Sequence, residues 1–293
     1  MLEKASCCKV NFLLNILGKR ADGYHELETV MHPLPVCDQL SFERAGTSLQ
    51  LSCSDPRLPV NSQNLVYQAA VLFAKAASLG PGDGVRIHLQ KNIPVAAGLG
   101  GGSGNAAVAL LALNELFGQP LPAPKLAELA ASLGSDIPFF LQTGPALSTG
   151  RGEVIQPLEA FPAMRGICFV LVHPGFGIST PWAYQQLANF PAAAHGTPGR
   201  AQRLIALLQT SVAVAAAEFY NSLEASALRK YPLLVLFQEF FRENGAPVTL
   251  MSGSGSATFA LTPTRDAAEK MLEKFRGKFG PNFWTAVVPA TDA

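Results

Sequence analysis

The most informative stretch of this 293-residue chain runs from Pro94 to Ala107 and has the sequence PVAAGLGGGSGNAA. Five glycines lie between Gly98 and Gly104, and the apolar run 106–113 follows almost directly. That run is too long for an ordinary strand, so the pattern predicts a helix that ends near Gly118. A glycine-rich loop before a helix presents unpaired N–H groups at the positive end of the helix dipole. We therefore expect the loop to bind an anion, and phosphate is the usual one.

The loop differs from the two best-known phosphate-binding loops. The Walker A pattern, which ends in Gly-Lys-Ser/Thr, does not occur in the chain. A dinucleotide pattern, G-x-G-x-x-A, can be aligned on residues 102–107, but the strand predicted at 84–90 ends well before it. A dehydrogenase stays open as an alternative, and the absence of ATP binding would favour it.

The composition limits the class of protein further. The chain is 48% hydrophobic and 15% charged with a net charge of +1, which predicts a globular enzyme with a large core and no nucleic-acid partner. No apolar run approaches the ~18 residues of a membrane span, and no signal peptide is evident, so we expect a cytoplasmic protein. The cysteines at 7, 8, 37, 53 and 168 lack metal-ligand spacing, and we expect free thiols.

Hydrophobic periodicity predicts an α+β protein. The segment 8–17 alternates as a strand and places Lys9, Asn11 and Leu13 on one face. The first half is predicted to add strands at 28–36, 39–44, 48–53 and 84–90, and helices at 64–78 and 125–133. The second half, from about Phe161, is predicted to hold strands at 167–172, 248–251, 258–261 and 283–288, and helices at 180–189, 199–209, 223–244 and 265–275. Two helices among paired strands favour a ferredoxin-like sandwich there.

A few polar residues stand where chemistry is possible. Lys9 and Asn11 could simply face water at a sheet edge, although Leu13 shares their face. Tyr24 and His25 follow the Asp22-Gly23 turn and could be ordinary loop residues. Asp136 follows Gly134 and could simply cap a helix.

Together, six motifs resemble the GHMP kinase superfamily. They are Lys9-Val-Asn11, the GKRADGYH stretch at 18–25, the glycine loop, Gly134-Ser-Asp136-Ile-Pro138, His173-Pro-Gly175 and Ser252-Gly-Ser-Gly255. The resemblance implies an α+β fold of two domains: a ribosomal-protein-S5-domain-2-like α/β domain at 1–160 and a ferredoxin-like α/β sandwich at 161–293. It also implies an active site in the cleft between them.

The resemblance implies a reaction as well. Within the superfamily, the RADGYH stretch is similar to enzymes that use ATP to phosphorylate the 2-hydroxyl of 4-diphosphocytidyl-2-C-methyl-D-erythritol, a step of the non-mevalonate isoprenoid route. Asp136 would accept the hydroxyl proton and Lys9 would hold Asp136 and the hydroxyl. Asn11, Tyr24, His25, Thr180 and Tyr184 would bind the substrate. ATP would be bound by Asn64, Lys91, Pro94, Val95, Ala96, Ala97, Gly98, Leu99, Gly100, Gly101, Gly102, Ser103 and Gly104.

The resemblance also implies Mg²⁺, held mainly by phosphates and water, and no protein metal site. One departure is notable: the family usually has a second serine where this chain has Gly104. That change puts in doubt how phosphate or Mg²⁺ is held at this point. Another GHMP small-molecule kinase and a non-catalytic nucleotide-binding regulator remain alternatives, although a regulator would need neither Lys9 nor Asp136.

Overall fold

The computed structural model describes residues 1–290. Its strands, in chain order, are β1 (Leu2–Lys19), β2 (His25–Arg44), β3 (Leu49–Cys53), β4 (Val85–Gln90), β5 (Ala146–Thr149), β6 (Val154–Pro157), β7 (Cys168–His173), β8 (Tyr220–Asn221), β9 (Thr249–Met251), β10 (Thr258–Thr262) and β11 (Trp284–Pro289).

The helices of the same part of the chain are α1 (Leu65–Ala76), α2 (Gly101–Leu116), α3 (Ala123–Leu133), α4 (Thr180–Gln186), α5 (Pro191–Ala194), α6 (Arg200–Leu207), α7 (Val212–Ala215), α8 (Glu224–Lys230), α9 (Pro232–Glu243) and α10 (Arg265–Phe279). Short 3₁₀ helices cover Ile137–Leu141, Pro162–Met164, Leu187–Asn189 and Ala216–Glu218.

Within the described part of the chain, the strands form two sheets. One has the order β3-β4-β2-β1-β8, and β5 and β6 extend it beside β2. The other has the order β11-β7-β10-β9. The chain divides into two compact units, and the long strands β1 and β2 each contribute residues to both. Unit 1 comprises Met1–Cys8, Val36–Ile93 and Gly100–Thr143, and unit 2 comprises Lys9–Pro35, Pro94–Leu99 and the chain from Gly144 onward.

Unit 1 is built from three helices and the strands they cover. β4 pairs antiparallel with β2 and parallel with β3. The buried faces of α1, α2 and α3 share one apolar core with β2, β3 and β4. In α2, small residues such as Ala106, Ala109 and Ala112 are fully buried, which lets this helix lie in the centre of the unit.

Unit 2 contains the predicted ferredoxin-like arrangement. If β7, β9, β10 and β11 are numbered one to four, their order in the sheet is four-one-three-two, and the pairs formed with β7 and β10 are antiparallel. α9 precedes β9 and α10 precedes β11, as this motif requires. The two helices pack a phenylalanine-rich core against the sheet, including Phe237, Phe241 and Phe275.

Two predicted boundaries were wrong for identifiable reasons. The strands predicted at 28–36 and 39–44 form one strand, β2, because Cys37 and Asp38 between them are also extended. The helix predicted at 223–244 is divided into α8 and α9, because Pro232 begins the second helix at a position where its missing N–H costs nothing. The predicted domain boundary after residue 160 stays a prediction.

The expectation of five free thiols was also wrong. Cys7 in β1 and Cys37 in β2 form a disulfide, whereas Cys8, Cys53 and Cys168 take no part in one. The pairing depends on the position of two strands relative to each other, which cysteine spacing alone does not reveal. No helix within residues 1–290 is long and apolar enough to cross a membrane.

Candidate active site

Lys9 lies in a buried polar cluster of unit 2. It belongs to β1 and is only 5% exposed. Its Nζ donates hydrogen bonds to Asn11 Oδ1 at 2.5 Å and to the carbonyl oxygen of Gly98 at 3.0 Å. Asn11 Nδ2 donates in turn to Thr29 Oγ1 at 2.8 Å, and Thr29 donates to the carbonyl of Leu13. The alternative of a strand face in water is therefore wrong, and the ammonium group is held at a defined point.

The serine-glycine segment 252–256 lies against the same cluster. Ser252 Oγ donates to the Gly98 carbonyl at 3.0 Å, so this oxygen accepts from both Ser252 and Lys9. Gly98 has a φ of +78°, and a Cβ there would lie 2.1 Å from the Ser252 carbonyl oxygen. A Cβ on Gly253 would lie 2.9 Å from the Gly98 oxygen and 3.2 Å from Lys9 Nζ. Glycine at both positions permits this close approach of two backbones.

Asn221, which no sequence motif identifies, holds the serine-glycine segment 252–256 in place. It is 1% exposed, and its Nδ2 donates to the carbonyls of Met251 at 2.8 Å and Gly253 at 2.7 Å. Its Oδ1 accepts from the Leu223 amide at 2.9 Å. Glu224 Oε1 accepts from the Met251 amide, so two side chains hold the backbone directly before Ser252. A lone Asn between predicted elements gives no sequence signal of this role.

In unit 1, the start of α2 has the features expected of an anion site. The helix begins at Gly101, earlier than its apolar run, so the later glycines form its first turn. Its N-cap, Gly100, has a φ of +72° and no side-chain hydrogen bond caps the helix. The first turn carries no acidic residue. The amide groups at this end therefore remain available to a bound anion.

Asp136 lies beside that first turn. It stands at the N-cap position of the 3₁₀ helix Ile137–Leu141, but its side chain makes no capping hydrogen bond. Instead, its Oδ1 accepts a hydrogen bond from Ser103 Oγ at 3.0 Å. The helix-capping alternative is therefore wrong for this side chain. One carboxylate, one hydroxyl and the uncapped end of α2 meet within unit 1.

The environment of Gly104 accounts for the absence of a second serine. Gly104 is buried in α2, and a Cβ there would lie 2.9 Å from Ser6 Oγ and 3.3 Å from the Cys7 carbonyl oxygen. The residue thus faces β1, where Ser6 leaves no room for a further hydroxyl. Ser103, one residue earlier, is the serine that reaches Asp136.

Two predicted ATP-binding residues have structural partners. Asn64 caps α1, since its Oδ1 accepts from the Val66 amide at 2.9 Å and its Nδ2 donates to the Pro59 carbonyl at 2.8 Å. Lys91 Nζ forms a short ion pair with the buried carboxylate of Asp38. Their contacts with ATP stay predictions. An Asn directly before an amphipathic run is a capping signal that could have identified the first role.

The residues predicted to bind the substrate base, Tyr24, His25, Thr180 and Tyr184, all lie in unit 2. The rings of His25 and Tyr184 lie 5.3 Å apart. Burial, reinforced by the charges of Lys19 and His195, lowers the pKa of His25. Thr180 Oγ1 and Ser254 Oγ are 2.8 Å apart. Tyr24 is exposed, and the Arg151 guanidinium lies 4.6 Å above its ring.

The structure thus brings Lys9 together with Asn11 in unit 2, and Ser103 together with Asp136 in unit 1. A hydrogen bond between Lys9 and Asp136 stays a prediction, as do the contacts of all these residues with ligands. Among residues 1–290, no three His, Cys, Asp or Glu side chains are grouped so that they could hold a metal ion.

Comparison with known proteins defines the class. The model of the GHMP kinase N-terminal domain matches residues 64–144, and that of the GHMP kinase C-terminal domain matches residues 190–282. Together they account for more than half of the chain, and the chain belongs to the GHMP kinase family.

Similar proteins define the group within the family. The 4-diphosphocytidyl-2-C-methyl-D-erythritol kinase of Synechococcus sp. (strain JA-2-3B'a(2-13)) is 38% identical over 94% of this chain and 90% of that protein. The protein of the same name from Pelotomaculum thermopropionicum is 40% identical over 92% of this chain and 91% of its own length.

Solved structures confirm the predicted two-domain α+β fold. A crystal structure of 4-(cytidine 5'-diphospho)-2C-methyl-D-erythritol kinase has a TM-score of 0.79 at 36% identity, and covers 98% of this chain and 99% of that chain. The mevalonate kinase of L. major has a TM-score of 0.74 at 14% identity, over 100% of this chain and 97% of that one, which shows a common fold alone.

Proposed function

We propose that this kinase transfers the γ-phosphoryl group of ATP to the 2-hydroxyl of 4-diphosphocytidyl-2-C-methyl-D-erythritol, giving the 2-phosphate and ADP. The names of relatives with 37–40% identity support the substrate. The observation that carries the chemistry is the Ser103–Asp136 hydrogen bond at the uncapped N-terminus of α2. This contact places the Asp136 carboxylate, a proton acceptor, beside backbone amides that can bind phosphate. The cytoplasm is the compartment we propose for this reaction.

In this proposal Asp136 accepts the proton of the acceptor hydroxyl as that oxygen attacks the γ-phosphorus. Lys9 holds the hydroxyl and stabilises negative charge on the transferring group, and Asn11 fixes Lys9 in turn. Phosphoryl transfer requires positioning and charge stabilisation more than covalent catalysis, so one carboxylate, one ammonium group and backbone amides suffice. The proposal requires that Lys9 and Asp136 act on the same hydroxyl.

The polyphosphate of ATP is proposed to lie along residues 94–104, with the α2 amides donating to it and Asn64 and Lys91 near the nucleoside. Mg²⁺ would neutralise charge on the phosphates. The Ser103 hydroxyl at the start of α2 suits a cation that takes most of its ligands from phosphates and water, which leaves the Asp136 carboxylate to act as the base.

The cytosine base is proposed to pack on Tyr184 and Tyr24, while His25 reads its hydrogen-bonding edge and Thr180 lines the same pocket. The lowered pKa of His25 keeps its imidazole neutral at neutral pH, so one ring nitrogen donates and the other accepts. A neutral imidazole suits a base edge that carries both kinds of group.

The test is ADP release by the purified protein with a panel of alcohols: the cytidyl substrate, homoserine and mevalonate. We expect turnover with the cytidyl substrate alone, and a new phosphomonoester signal at C2 in the ³¹P spectrum of the product. Turnover with another alcohol and not with the cytidyl compound would assign the chain to another GHMP activity. ATP binding without turnover of any alcohol would favour a regulator.

A further inference from the structure

A single buried carboxylate, that of Asp38, connects the chain on both sides of loop residues 94–99. Asp38 lies in β2 and is 0% exposed. Its Oδ1 accepts from the amides of Asn92 at 2.7 Å and Ile93 at 2.9 Å, which directly precede the loop. Its Oδ2 accepts from Asn105 Nδ2 at 3.0 Å, in the second turn of α2, and from Lys91 Nζ.

These contacts occupy the carboxylate fully. Two oxygens offer about four hydrogen-bonding positions, and four donors fill them. A charged group excluded from water is stable only when it is paired and hydrogen-bonded, and removal of one partner is costly. The orientation of Asp38 is therefore fixed, and it fixes in turn the backbone at 92–93 and the side chain of Asn105.

The same contacts place a positive charge near the helix end. A Cβ on Gly101, the first residue of α2, would lie 3.3 Å from Lys91 Nζ and 3.1 Å from the Ile93 side chain. A cation beside a helix N-terminus is electrostatically unfavourable unless an anion is close. Asp38 supplies that anion from the buried side, and a bound phosphate would supply another from the solvent side.

From this geometry we infer that Asp38 is a positioning residue for ATP: it fixes the start of α2, its amides and the Lys91 ammonium relative to one another. The inference rests on the proposed function, since it concerns the nucleotide that the kinase uses. Asp38 itself is not expected to touch a phosphate. Its effect must therefore appear in the ATP parameters and not in those of the alcohol.

The experiment compares Asp38→Asn, Asn105→Ala and a matched control, Asn114→Ala. Asn114 lies in the same helix, is 8% exposed and makes two hydrogen bonds with Leu121 at the opposite end of α2. The control thus weakens the helix without touching the loop. For each folded variant we would measure KM for ATP, KM for the cytidyl alcohol, and hydrogen exchange of segment 91–105.

We expect Asp38→Asn to raise KM for ATP about tenfold or more, because the α2 amides lose their common anchor. Exchange in 91–105 should accelerate, and KM for the alcohol should change by no more than about twofold. Asn105→Ala, which leaves the Asp38 carboxylate in place, should show smaller changes of the same kind. If Asp38→Asn does not fold, the KM for ATP of Asn105→Ala tests the inference instead.

Three results would overturn the inference: unchanged KM for ATP in folded Asp38→Asn, equal increases in both KM values, or an ATP effect of Asn114→Ala as large as that of Asn105→Ala. Absence of kinase activity in the unmodified protein would instead refute the proposed function. The two failures are thus distinguishable.

Discussion

Gly102 provides the sharpest test of phosphate binding at α2, because the protein itself has room for a side chain there. A Cβ on Gly102 would have only Leu65 Cδ1 nearby, at 3.8 Å. The position is exposed and helical. Replacement by Ala should therefore leave the fold intact, and helix propensity alone would stabilise it by up to about 1 kcal/mol. Only a ligand lying against the helix end would meet the new methyl group.

The expected loss follows from the hydrogen bonds that the methyl group would lengthen. A hydrogen bond to a charged group contributes about 1.5–3 kcal/mol, so loss of one weakens ATP binding by about tenfold to a hundredfold. Gly102→Val should weaken it further. The assay is calorimetric titration with ATP and Mg²⁺, combined with thermal unfolding of each variant.

Gly277 is the matched control for Gly102. It lies exposed in α10, and a Cβ there would have nothing within 4 Å. Gly277→Ala should raise thermal stability in the same way and leave ATP binding unchanged. If Gly102→Val binds ATP as the unmodified protein does, the glycines serve only the fold and the phosphates do not bind at the start of α2.

Three further predictions concern single side chains. Asp136→Asn keeps the size and the acceptor for Ser103 but removes the base, so kcat should fall by roughly 10²–10⁴ with ATP affinity unchanged; wild-type turnover would exclude Asp136 as the base. His25→Ala should raise KM for the cytidyl substrate and not for ATP, because the hydrogen bonds lost at the base edge contribute about 1–3 kcal/mol to binding. Equal increases in both KM values would show that His25 only supports the fold. Burial raises the pKa of Glu224 from 4.5 to about 7, so the folded state binds a proton more tightly than the unfolded state and this group's contribution to stability falls as pH rises from 4.5 to 7. Glu224→Gln mimics the protonated form, so its free energy of unfolding, measured by chemical denaturation, should exceed that of the unmodified protein by an amount that grows across this pH range to about 3 kcal/mol. The control Glu239→Gln changes an exposed side chain and should show no such difference.

Much of the fold could be predicted from the sequence because its signals are local. The alternation of β1, the amphipathic runs of α1 and α3, and the strand-helix order of the second half all follow from periodicity. The start of α2 could not be predicted, because glycines have no preference for the helix. Whether these glycines join α2 depends on how their backbone packs in the folded protein. The division of α8 from α9 depended on Pro232, whose position as a helix start was visible in the sequence.

The candidate site could be predicted only where a motif was present. Lys9, Asn11 and Asp136 lie in such motifs, and the structure shows specific partners for each of them. Asp38 and Asn221 were missed, because their importance depends on backbone atoms distant in sequence: the amides at 92–93 for the first, and the carbonyls of Met251 and Gly253 for the second. No local sequence pattern identifies a side chain whose partners are backbone groups distant in sequence.

A crystal structure of this kinase with a non-hydrolysable ATP analogue and the cytidyl alcohol would show directly which groups contact the acceptor hydroxyl and the phosphates. We expect the acceptor 2-hydroxyl to lie within hydrogen-bonding distance of both the Asp136 carboxylate and Lys9 Nζ, and the phosphates to lie against the amides at the start of α2. A complex in which Asp136 lies far from the hydroxyl, or the phosphates lie away from α2, would contradict this expectation.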